Sequence, residues 1–193
     1  MTEGVGGRTA RSEAHLGGWR LGGLALVFYL VHAAGHVTAG QPSEAFWACH
    51  LGALLVGVGL LTGHPLPCAV GFLWLCVGDG FWALDLATGG ELIPTSLLTH
   101  VGGLVIGGVG VLRMGMPRHA AVVAIGLFFA LQIASRALTD PATNLNLAHS
   151  VWAGWEGVFP SYPVYELMLL SIGFASFRAL EWLARRWFET RHG

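Results

Sequence analysis

The chain has 193 residues, 54% of them hydrophobic and only 11% charged, with a mean hydropathy of +0.62. A soluble domain carries about 25% charged residues, so this composition excludes an ordinary soluble fold and points to one polytopic membrane domain. The net charge of -1 leaves no basic face for nucleic acid once the arginines are placed.

Six apolar stretches follow in order, at 19–39, 45–62, 67–87, 94–112, 119–138 and 163–183. Each approaches the ~20 residues that cross ~30 Å of hydrocarbon as a helix. The first 18 residues are polar and glycine-rich. The apolar run after them is too long for a signal peptide core and lacks a clear cleavage site, so it reads as a retained first helix opened by the interfacial Trp19. It ends at Gly40-Gln41-Pro42. Ser43 is the expected N-cap of the second helix, which runs to Gly63-His64-Pro65. The third ends at Thr88-Gly89-Gly90, Pro94 opens the fourth, and Met116-Pro117 separates it from the fifth. Gly103 and Gly107 form a GxxxG pair suited to close helix packing. After Asp140-Pro141 comes the longest connection, 141–162, whose Trp152, Trp155, Phe159 and Tyr162 suit a re-entrant or interfacial segment. The sixth helix runs into an arginine-rich amphipathic tail.

All ten cationic residues are arginines, and they sort by side. With the N-terminus inside, Arg8, Arg11, Arg20, Arg113, Arg118, Arg178, Arg185, Arg186 and Arg191 fall at the inner face, and Arg136 alone falls near the outer one. His15, His64, His119 and His192 read as interfacial polar residues of the inner face. The expected architecture is therefore an all-α membrane protein. It is a six-transmembrane-helix bundle in the inner (plasma) membrane with cytoplasmic termini, a tail at 1–18, a membrane domain at 19–185 and a tail at 186–193.

The same topology gathers the reactive side chains in the outer half. His32 and His36 are one helical turn apart on one face, a spacing that can present two imidazoles to one metal. His50 and His100 enter from other helices at a similar depth. Together with Asp79 or Asp85 these four histidines can ligate zinc or iron, or hold a haem. Asp79 lies ~12 Å inside its helix end at 1.5 Å per residue and needs a partner there. Six positions separate it from Asp85, which puts the two on different faces.

A second constellation is Cys49 with His100, a thiol and an imidazole about one turn inside the surface, where water and lipid esters both reach. Thr95, Ser96 and Thr99 are alternative hydroxyl nucleophiles or helix caps. Arg136 can pair with Asp140 or Glu166, or bind a phosphate or carboxylate head group. Cys68 and Cys76 read as small apolar packing residues.

The run Thr143-Asn144-Leu145-Asn146-Leu147 and the later Gly157-Val158-Phe159-Pro160-Ser161-Tyr162-Pro163-Val164-Tyr165 resemble the Asn-containing loop and following helix start of the YwaF-like integral membrane proteins. Trp47-Ala48-Cys49-His50-Leu51 and Leu98-Thr99-His100 resemble that family's Leu-Cys segment and helix-borne histidine. The resemblance covers about residues 45–180 and extends to a eukaryotic phospholipid acyltransferase and, distantly, to androgen-induced fatty-acid-ester hydrolases. It implies Cys49 as an acyl-accepting nucleophile, His100 as its base and Asn144 as an orienter. Membrane lipids are the expected partners. A lipid acyl-ester hydrolase or acyltransferase, a metal-dependent enzyme using the histidine layer, and a haem, pigment or lipid-binding subunit of a membrane complex or homo-oligomer all remain open at this point.

Overall fold

In the computed structural model, residues 6–192 are described, with side chains described outside 6–16, 188 and 191–192. Arg8, Arg11, His15, Arg191 and His192, expected at the inner face, lie outside the described side chains. The described residues form six α-helices and no strand. These are α1 (Gly6–Thr38), α2 (Ala48–Thr62), α3 (Pro65–Ala87), α4 (Gly103–Met114), α5 (Ala120–Leu138) and α6 (Tyr162–His192). A π-helical turn, Leu98–Gly102, leads into α4.

Four stretches are long and apolar enough to cross a membrane: Gly17–Thr38, Pro65–Ala87, Ala120–Leu138 and Tyr162–Trp187. The other two, Ala48–Thr62 and Leu98–Met114, are shorter apolar helices. Large aliphatic side chains such as Leu30, Val105, Ile133 and Leu167 are exposed on the outside of the bundle. In water such a surface is unfavourable, but it suits contact with hydrocarbon. The protein is a helical membrane bundle.

Glycines let the inner helices meet. α2 and α3 form the tightest pair, joined by a turn in which Gly63 takes a left-handed φ of 69°. A Cβ on Gly59 would clash with the backbone nitrogen of Cys68, and one on Gly71 with the carbonyl oxygen of Gly52. The GxxxG pair of α4 faces the same seam. Gly103 looks onto Ala53 and Leu75, and Gly107 onto Val56 and Phe72. Cys68 is buried in that seam, and Cys49, Cys68 and Cys76 are all free thiols. Helix α3 is the hub, touching α2 and α4 on one side and α5 and α6 on the other.

The two ends of the bundle differ. At one end the Arg113 guanidinium approaches Gly17, and buried Glu181 of α6 accepts a hydrogen bond from Ala121 N at the start of α5 (2.9 Å) while pairing with Arg178 (2.9 Å). At the other end lie the C-terminal turns of α1, α3 and α5, the start of α2, the π-helical turn and segment 141–161.

Helix α2 begins later than the sequence suggests. Pro42–Phe46 is a 3-10 turn containing Ser43, so Ser43 is not the N-cap; Trp47 holds that position, without a capping side chain of its own. The cap comes from a distant segment, because Asn146 Oδ1 accepts from Ala48 N at 2.7 Å. Pro94 likewise lies in a turn ahead of the fourth helix rather than opening it.

Gly59→Ala is expected to lower the unfolding midpoint in detergent, since overpacking a close seam costs about 1–3 kcal/mol. Gly126→Ala, where an added Cβ meets nothing within 4 Å, is expected not to lower it. Thermal unfolding of the two variants side by side checks this.

Candidate metal centre

Helical geometry starts the site. His32 and His36 lie one turn apart on α1, and both are buried. Their Nε2 atoms stand 3.2 Å apart. The buried His50, in the first turn of α2, brings its Nε2 to 3.0 Å from that of His32. One ligand atom from each of the three rings lies within 4.8 Å of the others.

The outward nitrogens fix the ring orientations. His50 Nδ1 donates to the carbonyl oxygen of Glu44 at 2.9 Å, because that oxygen can only accept. A neutral His50 therefore presents a lone pair on Nε2. His32 Nδ1 is 2.9 Å from Thr95 Oγ1. If neutral His32 carries its proton on Nε2, that single proton must serve both neighbouring nitrogens. If it carries the proton on Nδ1, donating to Thr95, its Nε2 lone pair faces that of His50 with no proton between. A cation satisfies all of these lone pairs together. Imidazole nitrogens held at 2.0–2.1 Å from one ion, at right to tetrahedral angles, are about 2.8–3.4 Å apart, and both separations from His32 fall in that range, while His36 and His50 offer ligand atoms within 4.8 Å of each other. Ring nitrogens turned outward onto a backbone carbonyl and a hydroxyl are the usual means of orienting metal-binding imidazoles.

The buried His100 stands beside this trio, its ring centroid 5.4 Å from that of His50. Its Nδ1 is 2.6 Å from Asp79 Oδ1, so the deep carboxylate has the partner it requires. Trp82 stacks on the same ring at 4.5 Å and 9°. His100 is carried by the π-helical turn, a rare element that recurs at functional sites. Cys49, His50 and His100 form a second compact group, with one ligand atom from each within 4.8 Å.

The other expected site residues sit around these groups. Asn144 accepts from His149 N and Ser150 N, both at 3.0 Å, and donates to Ser150 O at 3.1 Å. It thus shapes its own loop at the edge of the cavity. Arg136 donates to Ala148 O at 2.8 Å and lies over the Tyr162 ring at 4.6 Å. It makes no ion pair with Asp140 or Glu166, and Asp140 instead accepts from Ala142 N. Arg136 and Tyr162, whose hydroxyl donates to Leu147 O at 3.0 Å, both anchor the loop.

The residue the sequence did not single out is Asn146. It is 2% exposed and has a left-handed φ of 54°. Besides capping α2, it donates to Phe46 O (3.1 Å) and to Ser135 Oγ (3.0 Å), while its own carbonyl accepts from Gln132 Nε2 (3.2 Å). It therefore fixes the start of α2 at Ala48, immediately before Cys49-His50 are presented. The paired asparagines of Thr143–Leu147 were the available signal, but the spacing does not say which one turns inward.

A cavity of about 460 Å³ opens on both groups, lined by His32, His36, Cys49, His50 and His100 among others. The fold and the site define a helical membrane protein with a cluster of buried histidines lining a cavity. No family model, no curated protein and no solved structure matches the chain.

Asn146→Ala strands the buried Ser135 hydroxyl, at about 1–3 kcal/mol for a buried group left unpaired, together with the part-buried Ala48 N–H and Phe46 carbonyl. It is expected to lower the unfolding midpoint well beyond the effect of Asn144→Ala, whose partners lie within one exposed loop.

Proposed function

We propose that the protein is a metal-dependent intramembrane enzyme whose ion is held by His32, His36 and His50. The observation that carries this reading is the approach of three Nε2 atoms, 3.0 and 3.2 Å apart, inside an apolar bundle. Three neutral imidazoles with no ligating carboxylate make a zinc-type set that leaves a coordination position free. Iron is the alternative ion for the same nitrogens.

When bound, such an ion lowers the pKa of a coordinated water to about 7. The chain supplies the remaining functions. His100, oriented by Asp79, is the base that accepts a proton. Trp82 fixes its ring plane at the wall of the cavity. We further propose that all six helices span the inner (plasma) membrane, with the arginine-rich end cytoplasmic and the metal centre in the outer half. The arginine distribution supports this orientation.

A second reading has its own observation. The Cys49 thiol lies close to His100, itself paired with Asp79, which is the order of nucleophile, base and orienter. It fits acyl-ester hydrolysis or transfer, as the resemblance to YwaF-like proteins implies.

Metal content per chain, measured by mass spectrometry on detergent-purified protein, separates the two. The metal reading expects about one ion per chain, lost in His36→Ala and retained in Cys49→Ala and His149→Ala. Protons compete for imidazole, so the ion is held at neutral pH and released as the solution is made acidic. Wild-type protein that takes up no zinc or iron on incubation overturns this reading. A lipid-ester turnover abolished by Cys49→Ala in metal-free protein establishes the second.

A further inference from the structure

The cavity has two unlike ends. Toward α1 and α2 it is lined by the histidines and Glu44; away from them, between α3, α5 and α6, its walls are Trp74, Ile125, Phe128, Leu169, Gly173 and Phe177. The one polar atom among those six side chains, Trp74 Nε1, is already spent on Ala124 O at 3.0 Å. A water in that arm would find no free side-chain partner, and a site needs two to four to hold one. Hydrocarbon fits it better.

The arm is also deep. Leu169, Gly173 and Phe177 recur along one face of α6 and span eight residues, or about 12 Å at 1.5 Å per residue. One leaflet's hydrocarbon is about 15 Å deep, half of the ~30 Å core. The α6 lining of the arm thus runs along most of one leaflet's depth. The whole cavity, histidine end included, has a volume of about 460 Å³, within the roughly 300–1,000 Å³ of small-molecule sites.

Gly173 gives the arm a second feature. The glycines of the α2–α3 seam face backbone that an added Cβ would clash with, so packing demands them. A Cβ at Gly173 would meet only Ile125 Cδ1, at 3.5 Å, an ordinary contact. Close helix packing does not require a glycine there, and its absent side chain leaves the arm open.

We infer that this arm binds one long hydrocarbon chain, so that the substrate class is a single-chain amphiphile whose polar end lies at the histidines. The placement of the polar end rests on the metal-centre reading, while the chain site stands on the apolar walls alone. A fatty-acyl and an isoprenoid chain share this chemistry.

The test uses full-length protein in phosphatidylcholine vesicles and stearic acid carrying a diazirine at its methyl end. Labelled residues are mapped by mass spectrometry. Wild-type protein is expected to be labelled at Ile125, Phe128 or Phe177, as well as at the lipid-facing Ile133 and Leu167, which are 57% and 69% exposed. Gly173→Leu fills the arm and is expected to reduce the cavity labels by about tenfold or more, leaving Ile133 and Leu167 unchanged as the control for folding. His36→Ala is expected to keep the cavity labels, so a failed metal site and a failed chain site are read separately. A matching phytanic acid probe that labels the same walls assigns the arm to branched isoprenoid chains as well. Labels confined to lipid-facing residues, or cavity labels untouched by Gly173→Leu, overturn the inference.

Discussion

Three imidazole nitrogens meeting in a membrane interior are the constraint around which this molecule is arranged. Buried polar groups without partners cost about 1–3 kcal/mol each in proteins, and hydrocarbon offers them no water. Two rings of the trio, and His100 beside it, are accordingly held from outside. Thr95 and the Glu44 carbonyl take the Nδ1 atoms of His32 and His50, and Asp79 takes that of His100. These partners come from three separate stretches of chain, so the centre ties together the turn after α1, helix α3 and the segment before α4. The loop 141–161 completes the frame, since Asn146 holds the α2 start that carries His50. Loss of one frame member is therefore felt by rings it does not touch.

Much of this was legible in the sequence. Apolar length gave the helical stretches, because a membrane segment needs only a count of hydrophobic residues. The HxxxH spacing put His32 and His36 on one face, since helical periodicity is local. The depth of Asp79 required a partner, and His100 is that partner. The identity of the third member of the trio was not legible. It depends on how α2 packs against α1, and a GxxxG pattern reports close approach without naming the neighbour. Nor was the start of α2. Local rules nominated Ser43, but Pro42 favours a 3-10 turn and the cap comes from a residue about a hundred positions away.

Arg136 and Asn144, expected to carry chemistry, also support structure. A single arginine at the less basic end invites an anion. In the structure its Nε donates to a backbone carbonyl exposed by the tight turns of Asn144, Asn146 and Leu147, all with positive φ. Such turns leave carbonyls unpaired, and a guanidinium beside an aromatic ring can satisfy one in a half-buried position. Sequence spacing shows charges but not the stranded backbone groups that compete for them.

The lengths of the helices connect the centre to its cavity. Ala48–Thr62 and Leu98–Met114 are the two short ones, about 22 and 25 Å at 1.5 Å per residue, and both begin late at the end that carries the histidines. The missing turns are replaced by a 3-10 turn, a π-helical turn and the inward loop. Irregular backbone at membrane depth is tolerated only where protein or a cavity satisfies it, and here the Asn146 side chain and the histidine partners do so. Extending α2 by the turn its length lacks would pass regular helix through the space now held by Glu44, Trp47 and Asn146. It would restore backbone hydrogen bonds while closing the approach to His50. The bundle thus gives up helix at the one level where it needs an opening and recovers those hydrogen bonds from side chains. For that reason the loop asparagine, rather than a residue of the trio, links the stability of the fold most directly to the geometry of the centre.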